Sequence, residues 1–122
     1  MEIDRNNNLW IGTEGNGIIK FSGETFIHYS EEVGLSNEKI YVIFEDYFGN
    51  LWVGTNGGGI IKYVNNKFYN YTKKQGLSVN TVQSIIEDNN KNLWFGTYGG
   101  GVTVYDNSYF RQYSMKSGII SD

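Results

Sequence analysis

The chain has 122 residues, 39% hydrophobic and 19% charged, with a net charge of −3 and only two arginines, Arg5 and Arg111. That is one domain's worth of an ordinary soluble protein without the positive field that nucleic-acid binding draws on. The absence of Cys excludes a disulfide framework and a thiolate metal site, and no apolar run approaches the ~20 residues that span a bilayer.

In chain order, Met1-Glu2-Ile3-Asp4 aligns with Ile43-Phe44-Glu45-Asp46, so the chain opens inside a strand. These four residues do not open a signal peptide, so any targeting segment is expected outside the chain. Arg5 to Asn8 matches Tyr47 to Asn50 and Asn89 to Asn92, and Asn and Gly are the residues that tolerate the left-handed conformations of hairpin turns. Next comes Asn8-Leu9-Trp10-Ile11-Gly12-Thr13-Glu14-Gly15-Asn16-Gly17. It recurs from Asn50 and again from Asn92, each copy 42 residues after the last.

The same offset carries Phe26 onto Phe68 and Phe110, and Tyr29 onto Tyr71 and Tyr113. A period of about 40 to 45 residues with one Trp per copy marks propeller blades. Gly punctuation among many aromatic residues fits an all-β repeat as well. Consecutive apolar residues such as Leu51-Trp52-Val53 predict strands buried on both faces, as in a sheet sandwiched between neighbours. Gly12, Gly54 and Gly96 then mark places where another backbone or ring comes close. Val79 to Asn90 on its own could pass for a short amphipathic helix. Its aligned copy Lys39 to Phe44 is β-branched and aromatic, which makes both the innermost strand of a blade.

The expected fold is all-β, with about three four-stranded antiparallel blades forming a partial propeller or half of a ring closed by oligomerisation. One repeat domain covers residues 1–122, with blades at roughly 1–30, 39–72 and 81–114, and with 115–122 leading toward a next blade. The middle blade should have strands at roughly 39–46, 50–55, 59–64 and 67–72.

Ile-x-Glu-Asp, then Gly49-Asn50-Leu51-Trp52-Val53-Gly54-Thr55-Asn56-Gly57-Gly58-Gly59-Ile60, then Phe-x-x-Tyr and Gly-Leu-Ser resembles the two-component regulator propeller repeat. The resemblance covers essentially the whole chain. It implies the extracytoplasmic, periplasmic sensor region of a bacterial hybrid two-component system, some of which respond to oligosaccharides. The family has many more repeats than three, together with membrane, kinase and output segments.

Chemistry-bearing residues receive mostly structural expectations. A Trp at one position of every blade is expected between blades, rather than as a sugar-stacking platform. Glu45-Asp46 and Glu87-Asp88 look like paired carboxylates, but adjacent strand residues point to opposite faces, and an Asp before an Asn-rich turn accepts turn N–H groups. The Gly-rich turns lack the Lys-Ser/Thr and the helix of a phosphate loop. His28 aligns with Asn70 and Gln112, so no metal set repeats. No catalytic residue, metal site or cofactor is expected.

In an antiparallel meander the second-to-third turns and the inter-blade linkers share one rim. Variation concentrates there: Glu14, Asn16, Asn56 and Tyr98 occupy otherwise constant turns beside linker residues Asn37 and Asn80. These six are the expected ligand-binding residues for a small polar ligand or oligosaccharide, with Tyr98 as the aromatic anchor. The alternative is a purely structural or protein–protein interaction propeller fragment. Expected partners are such a ligand, and either a second copy closing a six-bladed ring or further blades of a longer propeller, with no nucleic acid.

Overall fold

The computed structural model describes residues 2–13, 17–29, 39–65, 67–71, 81–97 and 101–113. Three four-stranded antiparallel meanders follow one another along the chain. The first holds β1 (Glu2–Ile3), β2 (Leu9–Gly12), β3 (Ile18–Phe21) and β4 (Phe26–Tyr29). The second holds β5 (Ile40–Glu45), β6 (Leu51–Thr55), β7 (Ile60–Val64) and β8 (Lys67–Tyr71). The third holds β9 (Val82–Glu87), β10 (Leu93–Thr97), β11 (Gly101–Tyr105) and β12 (Phe110–Tyr113). Within the ambiguous Val79 to Asn90 segment, Val82–Glu87 is therefore a strand, as the repeat required.

Turn chemistry explains the hairpins. The first turn of each blade places Asn7, Gly49 and Lys91 in the left-handed region at equivalent positions, and the third turn does the same with Gly23, Asn65 and Asn107. Asn and Gly take that conformation readily, whereas Lys91 takes it as the exception.

Pairing registers divide each blade into two faces, because cross-strand partners share a side. In the second blade Trp52 pairs with Phe44 and Lys62, while Val53 pairs with Ile43 and Ile61. The tryptophan face of one blade packs on the opposite, phenylalanine-bearing face of the next. Trp10, Ile18 and Tyr29 of blade one meet Ile43, Leu51, Val53, Ile61, Tyr63 and Phe68 of blade two. Trp52, Ile60, Val42, Phe44 and Tyr71 of blade two meet the corresponding residues of blade three: Val82, Ile85, Leu93, Phe95, Tyr105 and Phe110. Ring spacings repeat as well, with Trp10 to Tyr63 at 5.2 Å and Trp52 to Tyr105 at 5.2 Å.

Burial on both faces holds for the middle blade and not for the terminal ones. All five residues of β6 are buried. In β10, by contrast, Trp94 is 36% exposed, so the expectation of an inter-blade Trp fails at this one copy. The physical reason is that no described sheet follows blade three, and the three sheets do not close on themselves.

Candidate functional site

Two rims contain the turns, and they are built differently. At the hairpin rim each repeat places an aspartate at the end of its first strand. Asp46 Oδ1 accepts from the backbone N–H groups of Phe48 and Asn50 at 2.9 Å each, and its Oδ2 accepts from Trp52 Nε1 at 2.8 Å. Asp4 does the same for Asn6, Asn8 and Trp10, and Asp88 for Asn90, Asn92 and Trp94. The expected turn-capping role of the aspartate is thus met. Its grip on the indole six residues later was missed, although the constant Asp-to-Trp spacing was visible in every copy.

Geometry lowers the pKa of two of these carboxyls. Burial pushes Asp4 upward, but the hydrogen bonds from Trp10, Asn8 and Asn6 outweigh it and leave the pKa below its ordinary value. For Asp88 the Trp94 N–H is the leading cause of a lowered pKa, followed by the turn N–H groups.

The neighbouring glutamates work between blades. Glu45 Oε1 accepts the Arg5 backbone N–H at 3.0 Å, and Glu87 Oε2 accepts that of Tyr47 at 3.0 Å, each carboxylate reaching back to the preceding blade's turn. Arg5 also donates through Nη2 to the carbonyls of Asp46 and Tyr47. Glu45-Asp46 is therefore a pair pointing two ways, as strand alternation required, and not a catalytic dyad. A polar cleft of about 330 Å³ opens here between blades one and two, lined among others by Asn6, Asn8, Lys20, Glu45 and Asn65. Of its lining side chains, Asp4, Asn8, Trp10 and Glu45 are engaged in hydrogen bonds, and Lys20 Nζ lies 5.3 Å from the centre of the Trp10 ring.

Of the six expected ligand residues only Asn56 is described. It is exposed beside the positive-φ glycines Gly57 and Gly59. Its backbone N–H donates to the Lys39 carbonyl at 2.9 Å, and its Oδ1 accepts from Thr81 Oγ1 at 3.3 Å. Asn56 thus bridges its own turn to the entrance of the next blade. Glu14, Asn16, Asn37, Asn80 and Tyr98 lie outside the described residues. Among the described residues no group of three or more His, Cys, Asp or Glu could hold a metal ion.

This geometry has relatives. Residues 34–57 and 76–99 each match the model of the two component regulator propeller. These two stretches are similar to two-component regulator propeller repeats. The extracellular domain of the hybrid two-component system BT3049 from B. thetaiotaomicron superposes with a TM-score of 0.84 at 27% identity, over 97% of this chain and 17% of that one. The extracellular domain of BT4673 from the same organism gives 0.74 at 28% identity, over 94% of this chain and 18% of that one. PorZ, a surface component of the type-IX secretion system of Porphyromonas gingivalis, shares the fold with a TM-score of 0.70 at 19% identity, over 87% of this chain and 17% of PorZ. No curated protein matches the chain. The chain spans less than a fifth of the length of these three structures. Likeness to extracellular domains places this repeat module on the extracytoplasmic side.

Proposed function

We propose that the module belongs to the periplasmic sensing region of a two-component regulator and contributes to binding a small polar ligand such as an oligosaccharide. The site is the rim of second-to-third turns and inter-blade linkers, with Glu14, Asn16, Asn37, Asn56, Asn80 and Tyr98 as its residues. The observation that carries the reading is the contrast between the rims. At the hairpin rim the carboxylates of Asp4, Asp46, Asp88, Glu45 and Glu87 are engaged by the fold. In the second-to-third turns, Glu14, Asn56 and Tyr98 stand at one position of an otherwise constant Gly-Thr-x-Gly sequence. Tyr, Asn and Glu side chains offer a stacking face, donors and acceptors to hydroxyl groups. We read the module as non-catalytic, in keeping with its family. Its open sheet faces are covered either by a second copy or by further blades of a longer propeller.

A structural or protein-interaction role is the second reading, and the use of Asn56 Oδ1 to hold Thr81 favours it. A glycan-array screen separates the two. Once a glycan is found, titration of Tyr98→Ala should show at least about tenfold weaker binding at an unchanged melting temperature. Tyr47→Ala, at the opposite rim, should bind as the parent does. A folded protein that binds nothing on the array supports the structural reading, and loss of binding in Tyr47→Ala but not Tyr98→Ala places the site at the wrong rim.

A further inference from the structure

The first turn of blade two differs from its copies. Tyr47 and Phe48 stand where blade one has Arg5 and Asn6 and blade three has Asn89 and Asn90. Two blades make this turn without an aromatic residue, so the fold does not require one here. Tyr47 is nevertheless 59% and Phe48 57% exposed. The two rings meet edge to face, with centroids 5.3 Å apart and planes at 87°, and Lys91 Nζ lies 4.5 Å from the centre of the Tyr47 ring. Tyr47, itself under a cation, props Phe48 while leaving much of that ring open to solvent.

Phe48 borders the polar cleft of about 330 Å³ between blades one and two. Both walls of the cleft are blades of this chain, so its shape comes from a covered interface. It stands at the small end of ligand sites and has room for one sugar-sized ring. Its charged groups are unevenly committed. Asp4 accepts from the backbone of Asn6 and Asn8, from the Asn8 amide and from Trp10 Nε1. Glu45 accepts the Arg5 N–H, and its Oε2 lies 3.4 Å from Arg5 Nε. Lys20 meets the Trp10 ring and, among the described residues, makes ion-pair contact with no carboxylate. Its copy Lys62 is more fully used, with Nζ 5.1 Å from the Trp52 centre and 5.9 Å from that of Tyr105. Val64 lines the cleft where the next repeat has Asp106, so a carboxylate of the following copy is absent here.

Side-chain amides complete the lining. Asn8 commits its amide to Asp4 Oδ2 at 3.1 Å, and Asn107 donates to the Lys91 carbonyl at 3.3 Å. Among the described residues no such bond ties the amides of Asn6, Asn50 or Asn65, of which Asn50 is the copy of Asn8 and Asn65 that of Asn107. Each amide offers donors and an acceptor together, which neighbouring hydroxyl groups can use in both directions. One cleft thus holds an aromatic face, open amides and a cation. That set calls for a ring with an apolar face, hydroxyl groups and a negative charge.

We propose that the cleft binds one hydroxylated ring carrying a carboxylate, a sugar acid by its chemistry. The ring lies on Phe48, its hydroxyl groups on Asn6, Asn50 and Asn65, and its carboxylate on Lys20. This site is at the opposite rim from Tyr98 and does not rest on the ligand reading above. NMR titration of the isotope-labelled chain with glucuronate should give saturable shifts of the three Asn side-chain amides, with glucose and acetate each at least about tenfold weaker. Lys20→Met should bring glucuronate down to the level of glucose. Phe48→Ala and Asn6→Ala, both at exposed turn sites, should also weaken glucuronate binding, the first at least about tenfold. Circular dichroism checks that each variant is folded. Tyr98→Ala should bind glucuronate as the parent does, so failure at one rim leaves the reading of the other standing. Absence of glucuronate binding would overturn the proposal, as would equal binding of glucose or acetate, or binding indifferent to Phe48→Ala or to a folded Lys20→Met.

Discussion

Trp52 and Trp94 occupy the same position of the same motif, and each indole donates to an aspartate at 2.8 Å. Trp52 is 0% exposed and Trp94 36%. Local sequence and local hydrogen bonding are matched, so the difference comes from what lies on the far side of the ring. Phe95 and Tyr105 of the next blade cover Trp52 at 5.5 and 5.2 Å. A repeat thus specifies the shape of its blade, while its neighbour decides how much of that blade is core, as expected of stacked units that cannot bury their apolar faces alone.

The largest effect expected from this comparison is on Trp52→Ala, which removes a fully buried ring and should cost about 3–5 kcal/mol. Trp94→Ala should cost the monomer less than half of that, and Asn56→Ala, at an exposed turn, should stay below about 1 kcal/mol. Urea melts of the three variants at low protein concentration give the ranking. Equal costs for Trp52 and Trp94 would break the comparison.

How much of this was legible beforehand depends on whether a feature lies within one repeat or between two. The strands of the middle blade fall within a residue or two of their expected limits, because 42-residue spacing aligned three independent samples of one pattern. The capping aspartates were legible for the same reason. The glutamate clamp was not, since Glu45 and Glu87 find their partners 40 residues back along the chain, at the backbone of Arg5 and Tyr47, where side-chain identity leaves no trace. The exposure of Trp94 was hidden too, because its local motif is that of Trp52. For the expected ligand rim, Asn56 shows that a variable turn residue also works as a strut to the next blade.

Glycine sharpens the comparison at intermediate cost. Gly54→Ala drives a methyl group into the Val82 carbonyl and the Val42 side chain, both at 2.7 Å, and should destabilise by about 1–3 kcal/mol. Gly96→Ala meets only the Ser84 hydroxyl, which can rotate away, and should cost clearly less. Thermal melts of the two variants check this, and a Gly96→Ala variant as unstable as Gly54→Ala would show that the local sheet, and not the next blade, demands glycine.

The smallest effect is on acid stability. The lowered pKa values of Asp4 and Asp88 mean that their native hydrogen bonds favour the charged carboxylate. Their stabilisation is complete above the ordinary value of 3.8 and is lost as pH falls through the lower folded values. Melting temperatures should therefore fall below about pH 4, and the Asp4→Asn variant should show a shallower acid limb than the parent. An unchanged acid limb in that variant would remove Asp4 from the account of acid stability.

Fluorine NMR of the chain labelled with fluorotryptophan tests most directly whether the neighbouring blade sets the environment of each Trp. The three tryptophans should give three resonances, assigned by single Trp→Phe variants. At high dilution only Trp94 should show a solvent isotope shift, while Trp10 and Trp52 stay silent. A Trp94 resonance as shielded as that of Trp52 in the dilute monomer, or a Trp52 resonance as open as that of Trp94, would contradict it.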